Sequence, residues 1–157
     1  MWTIRLLRED EQDRLHEIWS DAVRATHGFI SEEHFRHFSQ IVREEMLPQG
    51  GLWVAAGADD RAIAWMQIEG RKVEALFVDP DFHRRGAGRA LMEQARRLSP
   101  VLELDANEQS GAVAFYRRLG FVETGRSEAD GRGLPYPLVH MRLEPSASAQ
   151  PVSTRRP

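Results

Sequence analysis

The stretch VDPDFHRRGAGRALMEQARRL, residues 78–98, constrains the chain more than any other. An extended apolar run ends at Asp79-Pro80, and RALMEQARRL is amphipathic at helical spacing, so strand must pass to helix within a few residues. The connection carries two glycines, Gly86 and Gly88, which supply backbone freedom and leave no side chain between the main chain and whatever approaches it. Whatever the fold, it presents bare backbone where a strand hands over to a helix.

Two uses of that backbone are open. A helix start exposes unpaired N–H groups and partial positive charge, so nearby glycines let a phosphate reach several amides at once. The alternative is a tight turn into the helix and nothing more. Arg84, Arg85 and Arg89 favour the phosphate. Two familiar phosphate loops do not fit. No Gly-Lys-Ser or Gly-Lys-Thr stands at Walker spacing, and the third residue after Gly88 is Leu91 where a GxGxxG dinucleotide loop needs glycine.

The bulk properties narrow the chemistry. A formal net charge of -3 over 157 residues gives no electrostatic reason for a nucleic-acid partner, so the arginine pairs act locally. The absence of cysteine excludes disulfides, thiolate metal sites and a cysteine nucleophile. The N-terminus MWTIRLLREDEQDRL becomes charged too soon for a signal peptide or membrane span, which predicts a soluble cytoplasmic protein. One domain is expected over 1–144, with the tail PSASAQPVSTRRP, 145–157, disordered because it has almost nothing to bury.

Periodicity fills in the rest. WTIRLL reads as a strand, and the following run places Leu15, Ile18, Trp19, Ala22 and Val23 at helical spacing. SEEHFRHFSQIVREEML is a second helix, ended by PQGG. LWVAAG, RAIAWMQIEG and RKVEALFVDP form a three-stranded antiparallel meander. After the glycine-led helix come the strand VLELDA, the helix EQSGAVAFYRRLG, and the strands FVETGRS and PLVHMRLE. The order predicts an α/β or α+β fold, one mixed central sheet with helices on both faces.

VEALFVDPDFHRRGAGRALMEQA resembles the acetyl-CoA-binding motif of the GNAT N-acetyltransferase superfamily, whose core is Arg/Gln-x-x-Gly-x-Gly/Ala. LELDANEQSGAVAFYRRLGFVETGR resembles the second family signature, an Asn, then Phe-Tyr, then Leu-Gly-Phe. IWSDAVRATHGF and GRSEADGRGLPYPLVHMRLE look most like small stand-alone bacterial members. One position departs from the pattern: His83 stands where the first motif residue is usually Arg or Gln. The resemblance implies a mostly antiparallel sheet of about seven strands and transfer of an acetyl group from acetyl-CoA to a primary amine by direct attack through a tetrahedral intermediate. It implies no metal and an unidentified amine acceptor, and leaves a homodimer open; a non-catalytic acyl-CoA-binding module is the alternative.

By the same resemblance, amides in the run His83, Arg84, Arg85, Gly86, Ala87, Gly88, Arg89 and Ala90, chiefly from Arg85 onward, hold the pyrophosphate. The backbone of Leu76, Phe77 and Val78 pairs with the pantetheine arm like an added strand. Tyr116 takes the role of proton donor to the departing thiolate, against the simpler use of a tyrosine anchoring a helix to the core. Glu74 is the candidate base, or else a strand-face carboxylate; alternation along KVEALFV predicts it on the side of Leu76 and Val78. His27, at the end of the first helix, is the rival base or a charged partner of the helix dipole. Asn107 matches a cofactor-contacting position or caps the next helix. The arginine pairs at 96–97 and 117–118 read as exposed helix charge, with Arg118 reaching the phosphates as the alternative. Tyr136 and His140 belong to the segment that shapes the acceptor pocket in the family, with turn anchoring and core packing as the plainer uses. His34 and His37, at i, i+3, fit a solvated helix face better than a metal site.

Overall fold

The computed structural model describes residues 1–145, so the expected disordered tail lies, apart from Pro145, outside the described residues. Seven strands form one sheet in the order β1-β2-β3-β4-β5-β7-β6. They are β1 (Thr3–Leu6), β2 (Leu52–Ala56), β3 (Ala62–Glu69), β4 (Lys72–Val78), β5 (Leu102–Asn107), β6 (Val122–Ser127) and β7 (Leu138–Leu143). Every pairing is antiparallel except β4 with β5. Helices α1 (Gln12–Thr26) and α2 (Glu32–Ile41) cover one face, and α3 (Ala87–Leu98) and α4 (Ala112–Arg118) the other.

Alternation along the strands divides the core in two. Ala64, Met66, Leu104 and Met141 point toward α3 and α4, while Val54, Ala62 and Trp65 point toward α1 and α2. Leu15, Ile18, Trp19 and Val23 of α1 are buried against that second layer, and the Trp65 indole N–H donates to the Leu15 carbonyl at 2.9 Å. Among the described residues no helix is long and apolar enough to cross a membrane.

Two departures from regularity matter for function. In the β3–β4 hairpin, Gln67 faces Ala75 and Ile68 faces Val73, so Glu74 is an extra residue at a β-bulge. The bulge overturns the side expected for Glu74. Leu76 and Val78 pack toward α3, whereas Glu74 opens on the same cavity as Ala75 and Phe77, toward α2. The second departure ends α2 early. The helix expected to run through Leu47 gives way at Val42–Met46 to a π-helical turn and then to a short 3-10 turn, Leu47–Gln49. Pro48 lacks the N–H that would continue the ladder, and the Gln67 side chain takes the Met46 carbonyl instead.

Candidate active site

A cleft of about 560 Å³ opens where β4 and β5 separate. The two parallel strands pair only at Lys72 and Glu103 and then diverge. Leu76, Phe77 and Val78 therefore pair with β3 on one edge, through Met66, Trp65 and Ala64, and line the cleft without a strand partner on the other. An open strand edge inside a cleft offers backbone hydrogen bonds to an extended, amide-bearing ligand.

The end of β4 is tied down before the glycine loop begins. Asp79, 7% exposed, accepts from Arg14 Nη2 at 2.8 Å and from the Asp81 amide at 3.0 Å. Burial opposes the Asp79 charge, but the Arg14 guanidinium and the Asp81 amide outweigh it and hold the carboxyl below its ordinary value. Farther along, the Trp2 indole N–H donates to the Arg85 carbonyl at 2.8 Å and the Trp2 ring meets Phe82 edge-on. The Arg85 guanidinium lies 5.4 Å over Phe82. These contacts draw the Arg85 side chain over Phe82 and out of the cleft lining, while the Arg85 amide, the group the motif assigns to the pyrophosphate, has no acceptor among the described residues.

Arg84 and Gly86 have φ of 64° and 87°, left-handed positions on either side of Arg85. Such bends turn successive N–H groups toward one concavity, and a left-handed non-glycine residue is a local cost that concentrates at functional loops. Gly86 is the N-cap of α3, so Gly88, expected ahead of the helix, lies inside its first turn. Among the described residues the amides of Gly86, Ala87, Gly88 and Arg89 have no acceptor. Ala90 is different: its amide donates to the Gly86 carbonyl at 2.9 Å, the first helical bond, and is therefore not free for a ligand. A Cβ on Gly88 would sit 3.4 Å from Phe115 and 3.5 Å from Val78, in ordinary contact, with any longer side chain crowding the cleft. His83, Arg84 and Arg89 line the same space, as does Arg118 from α4.

Tyr116 of α4 closes the other wall. Its ring packs at T-shaped angles against Phe115 and Phe121, and burial pushes its phenol pKa up. Its hydroxyl has no hydrogen-bond partner among the described residues. A protonated hydroxyl held in a cleft without a partner is suited to donate to a ligand atom.

Across the sheet a second cavity of about 790 Å³ lies between α2, the π-turn and the β6–β7 connection. Among the described residues, only Phe77 and His27 border both spaces. His27 caps α1, its amide donating to the Val23 carbonyl at 2.7 Å and its Nδ1 lying 2.6 Å from Thr26 Oγ1. Burial lowers its pKa, so it is a neutral imidazole at pH 7 and not the charged helix-dipole partner that its position suggests. Glu74 borders the second cavity, as do Glu69, Asp130 and Glu45; Arg132 reaches Glu45 at 3.0 Å across the opening.

Three other expectations change, for Asn107, His140 and His34, the last half-buried against Tyr136 and not on a solvated helix face. Asn107 borders the second cavity and not the glycine-loop cleft, and its side chain closes a turn by accepting from the Gln109 amide at 2.8 Å. It does not cap α4, which begins after Gly111. Tyr136 is buried beside the second cavity and hydrogen-bonds His34, tying the β6–β7 connection to α2. His140 borders neither cavity. It bridges Asp105 at 2.6 Å and Ser127 at 2.7 Å on the open face of the sheet.

These features coincide with a known family. A family model described as the Acetyltransferase (GNAT) domain matches residues 19–145. The chain belongs to the GNAT acetyltransferase family. It is 42% identical over 140 residues to the peptidyl-lysine N-acetyltransferase YjaB of Escherichia coli K12, covering 88% of this chain and 95% of that one. It is 32% identical over 120 residues to YiaC of the same strain, also named a peptidyl-lysine N-acetyltransferase, covering 75% and 82%. The solution structure of apo YjaB superposes with a TM-score of 0.87 at 39% identity, covering 93% of this chain and 99% of that one. As a GNAT member the chain is an acetyl-CoA-dependent N-acetyltransferase.

The residues missed from sequence are those that act at a distance. Trp2 and Arg14 lie on elements far along the chain from the loop they hold, and Gln67 sits in an apolar strand where nothing in the local pattern marks it. The Asp-Pro step at the end of β4 was the available signal for the Arg14 partner, since a buried carboxylate requires one.

Proposed function

We propose that this enzyme transfers the acetyl group of acetyl-CoA directly to the ε-amine of a lysine side chain in a peptide or protein. The observation that carries the reading is the pair of cavities meeting at His27 and Phe77, one floored by free amides and the other apolar within and rimmed by carboxylates. The peptidyl-lysine N-acetyltransferase activity for which YjaB and YiaC are named points to the same acceptor. A cytoplasmic location is part of this reading.

Acetyl-CoA fits the first space by chemistry that the chain itself provides. Its pyrophosphate matches the free amides of Gly86 to Arg89, aided by the dipole of α3, and its pantetheine amides match the open edge of Leu76 to Val78. When bound it supplies an activated acetyl thioester. Tyr116 then holds its proton toward the sulfur, where negative charge grows as the thiolate leaves. Burial keeps that phenol protonated throughout the physiological range. On the acceptor side a lysine ammonium must lose a proton before its nitrogen can attack. Glu74, turned to this side by the bulge, or the neutral imidazole of His27 accepts that proton directly or through water.

The test is release of CoA thiol from acetyl-CoA with lysine peptides, paired with mass spectrometry of the peptide. Turnover that adds one acetyl group to lysine is expected. Tight acetyl-CoA binding without turnover on any amine would favour a binding module instead.

A further inference from the structure

We infer that Gln67 reads the acceptor, its side-chain oxygen taking a hydrogen bond from the amino group of the incoming chain; the assignment rests on the lysine reading above. Gln67 and Asp79 are the buried polar side chains among the described residues, at 6% and 7% exposure. They are satisfied very differently. Asp79 is paired by Arg14 and by a backbone amide. Gln67 uses only its nitrogen, donating to the Met46 carbonyl at 3.0 Å and to the Gly50 carbonyl at 3.5 Å.

Those two carbonyls fix the amide. Turning it over would set its oxygen against two carbonyl oxygens, so Oε1 must face away from them. No donor among the described residues reaches that oxygen, although Gln67 borders the acceptor-side cavity. A buried acceptor without a donor is costly, and a ligand N–H is a partner that would relieve the cost.

Its neighbours agree in chemistry. Gln67 faces Ala75 across the hairpin, beside the bulged Glu74, and Glu69 follows two residues along on the same cavity. The carbonyl it grips belongs to Met46, the last residue of the π-turn. A β-bulge and a π-turn, both irregularities that gather at functional sites, thus meet at one side chain. Trp19, Val23 and Phe38 supply apolar wall to the same cavity. A neutral oxygen flanked by carboxylates at an apolar wall suits an alkyl chain ending in an ammonium, which brings several N–H donors and positive charge together.

The experiment compares two probes on CoA-saturated protein by NMR titration: Nα-acetyl-lysine amide, and Nα-acetyl-norleucine amide, which keeps the alkyl chain but lacks the ammonium. Wild type should prefer the lysine probe, and Gln67→Met should cut that preference roughly tenfold while leaving CoA affinity unchanged. A merely structural role, holding Met46 in place, would weaken both probes alike and leave their ratio where it was. Should Gln67→Met fail to fold, Gln67→Asn keeps an amide but draws the whole group back by one methylene, oxygen and nitrogen alike, and the same loss of preference is expected. A wild type that prefers lysine beside a variant with the same preference overturns the Gln67 assignment alone. A wild type that binds CoA but shows no preference for the lysine probe removes the lysine reading and this assignment with it.

Discussion

The two cavities that meet at His27 and Phe77 are made of different materials. On the glycine-loop side the ligand-facing groups are mostly main chain: the free amides of Gly86 to Arg89 and the open edge of Leu76 to Val78. On the α2 side they are mostly side chains, brought in from α1, α2, the β3–β4 hairpin and the β6–β7 connection. Main-chain groups are the same in every residue, so the first side tolerates changes of side chain but not of backbone shape. On the proposed reading the second side has the opposite sensitivity: individual side chains would choose the acceptor, and the backbone would supply only their placement. A shared cosubstrate and a variable acceptor call for this division.

The largest effect expected from breaking the comparison is at Gly88. A Cβ alone makes ordinary contacts with Phe115 and Val78, so Gly88→Ala should keep the fold and much of the affinity. Gly88→Leu fills the cleft, and calorimetry should show acetyl-CoA binding weakened roughly 100-fold, about 2.8 kcal/mol, with the thermal midpoint little moved. Unchanged affinity in the leucine variant would remove the cleft from the cofactor site.

Trp2→Phe sharpens the comparison by altering the frame of the loop without touching the ligand. It removes the N–H that grips the Arg85 carbonyl and retains an aromatic ring near Phe82. One such hydrogen bond contributes about 0.5–1.5 kcal/mol, so the dissociation constant for CoA should rise up to about tenfold while the lysine-probe preference stays the same. A changed preference with constant CoA affinity would place Trp2 on the wrong side of the division.

The smallest effect concerns pH. His27 and His16 both have pKa values lowered chiefly by burial. The unfolded chain therefore binds more protons than the folded one once pH falls below the ordinary histidine value of about 6.5. The stability associated with the neutral imidazoles is complete above that value and is lost as pH falls toward the lowered folded pKa values. Urea unfolding at pH 7.5 and pH 5.5 should show a smaller pH-dependent loss for His27→Gln than for wild type. An equal loss in both would mean that His27 titrates normally in the folded protein.

This division also explains what was legible in the sequence. The seven strands and the glycine-led helix could be read because their signals are local: alternation, turn residues, glycine and proline. The free amides at the start of α3 were legible for the same reason, since Gly86, at φ 87°, declares a backbone requirement at its own position. Ala90 was overassigned because the first helical hydrogen bond depends on where the helix starts, and α3 begins three residues earlier, at Ala87. Glu74 was assigned to the wrong side because a bulge is a property of two strands paired together, and the single strand KVEALFV carries no mark of it. His140 likewise takes its partners from separate elements, Asp105 of β5 and Ser127 of β6, whereas Asn107 spends its oxygen on the Gln109 amide in the turn that follows β5. Gln67 was missed because its meaning lies in an oxygen left over after Met46 and Gly50 have taken the nitrogen, which only the folded chain reveals.

In the proposed mechanism the two sides are joined at Tyr116, which places a hydroxyl where the glycine-loop side is otherwise main chain. Steady-state kinetics of Tyr116→Phe with acetyl-CoA and a lysine peptide, from pH 6 to pH 9, therefore tests the account at its centre. A proton donor acting only as the thiolate departs should leave both KM values within a few-fold of wild type and lower kcat by roughly 100-fold or more across the range. Unchanged kcat at every pH would show that the phenol anchors α4 to the core and does not take part in the transfer.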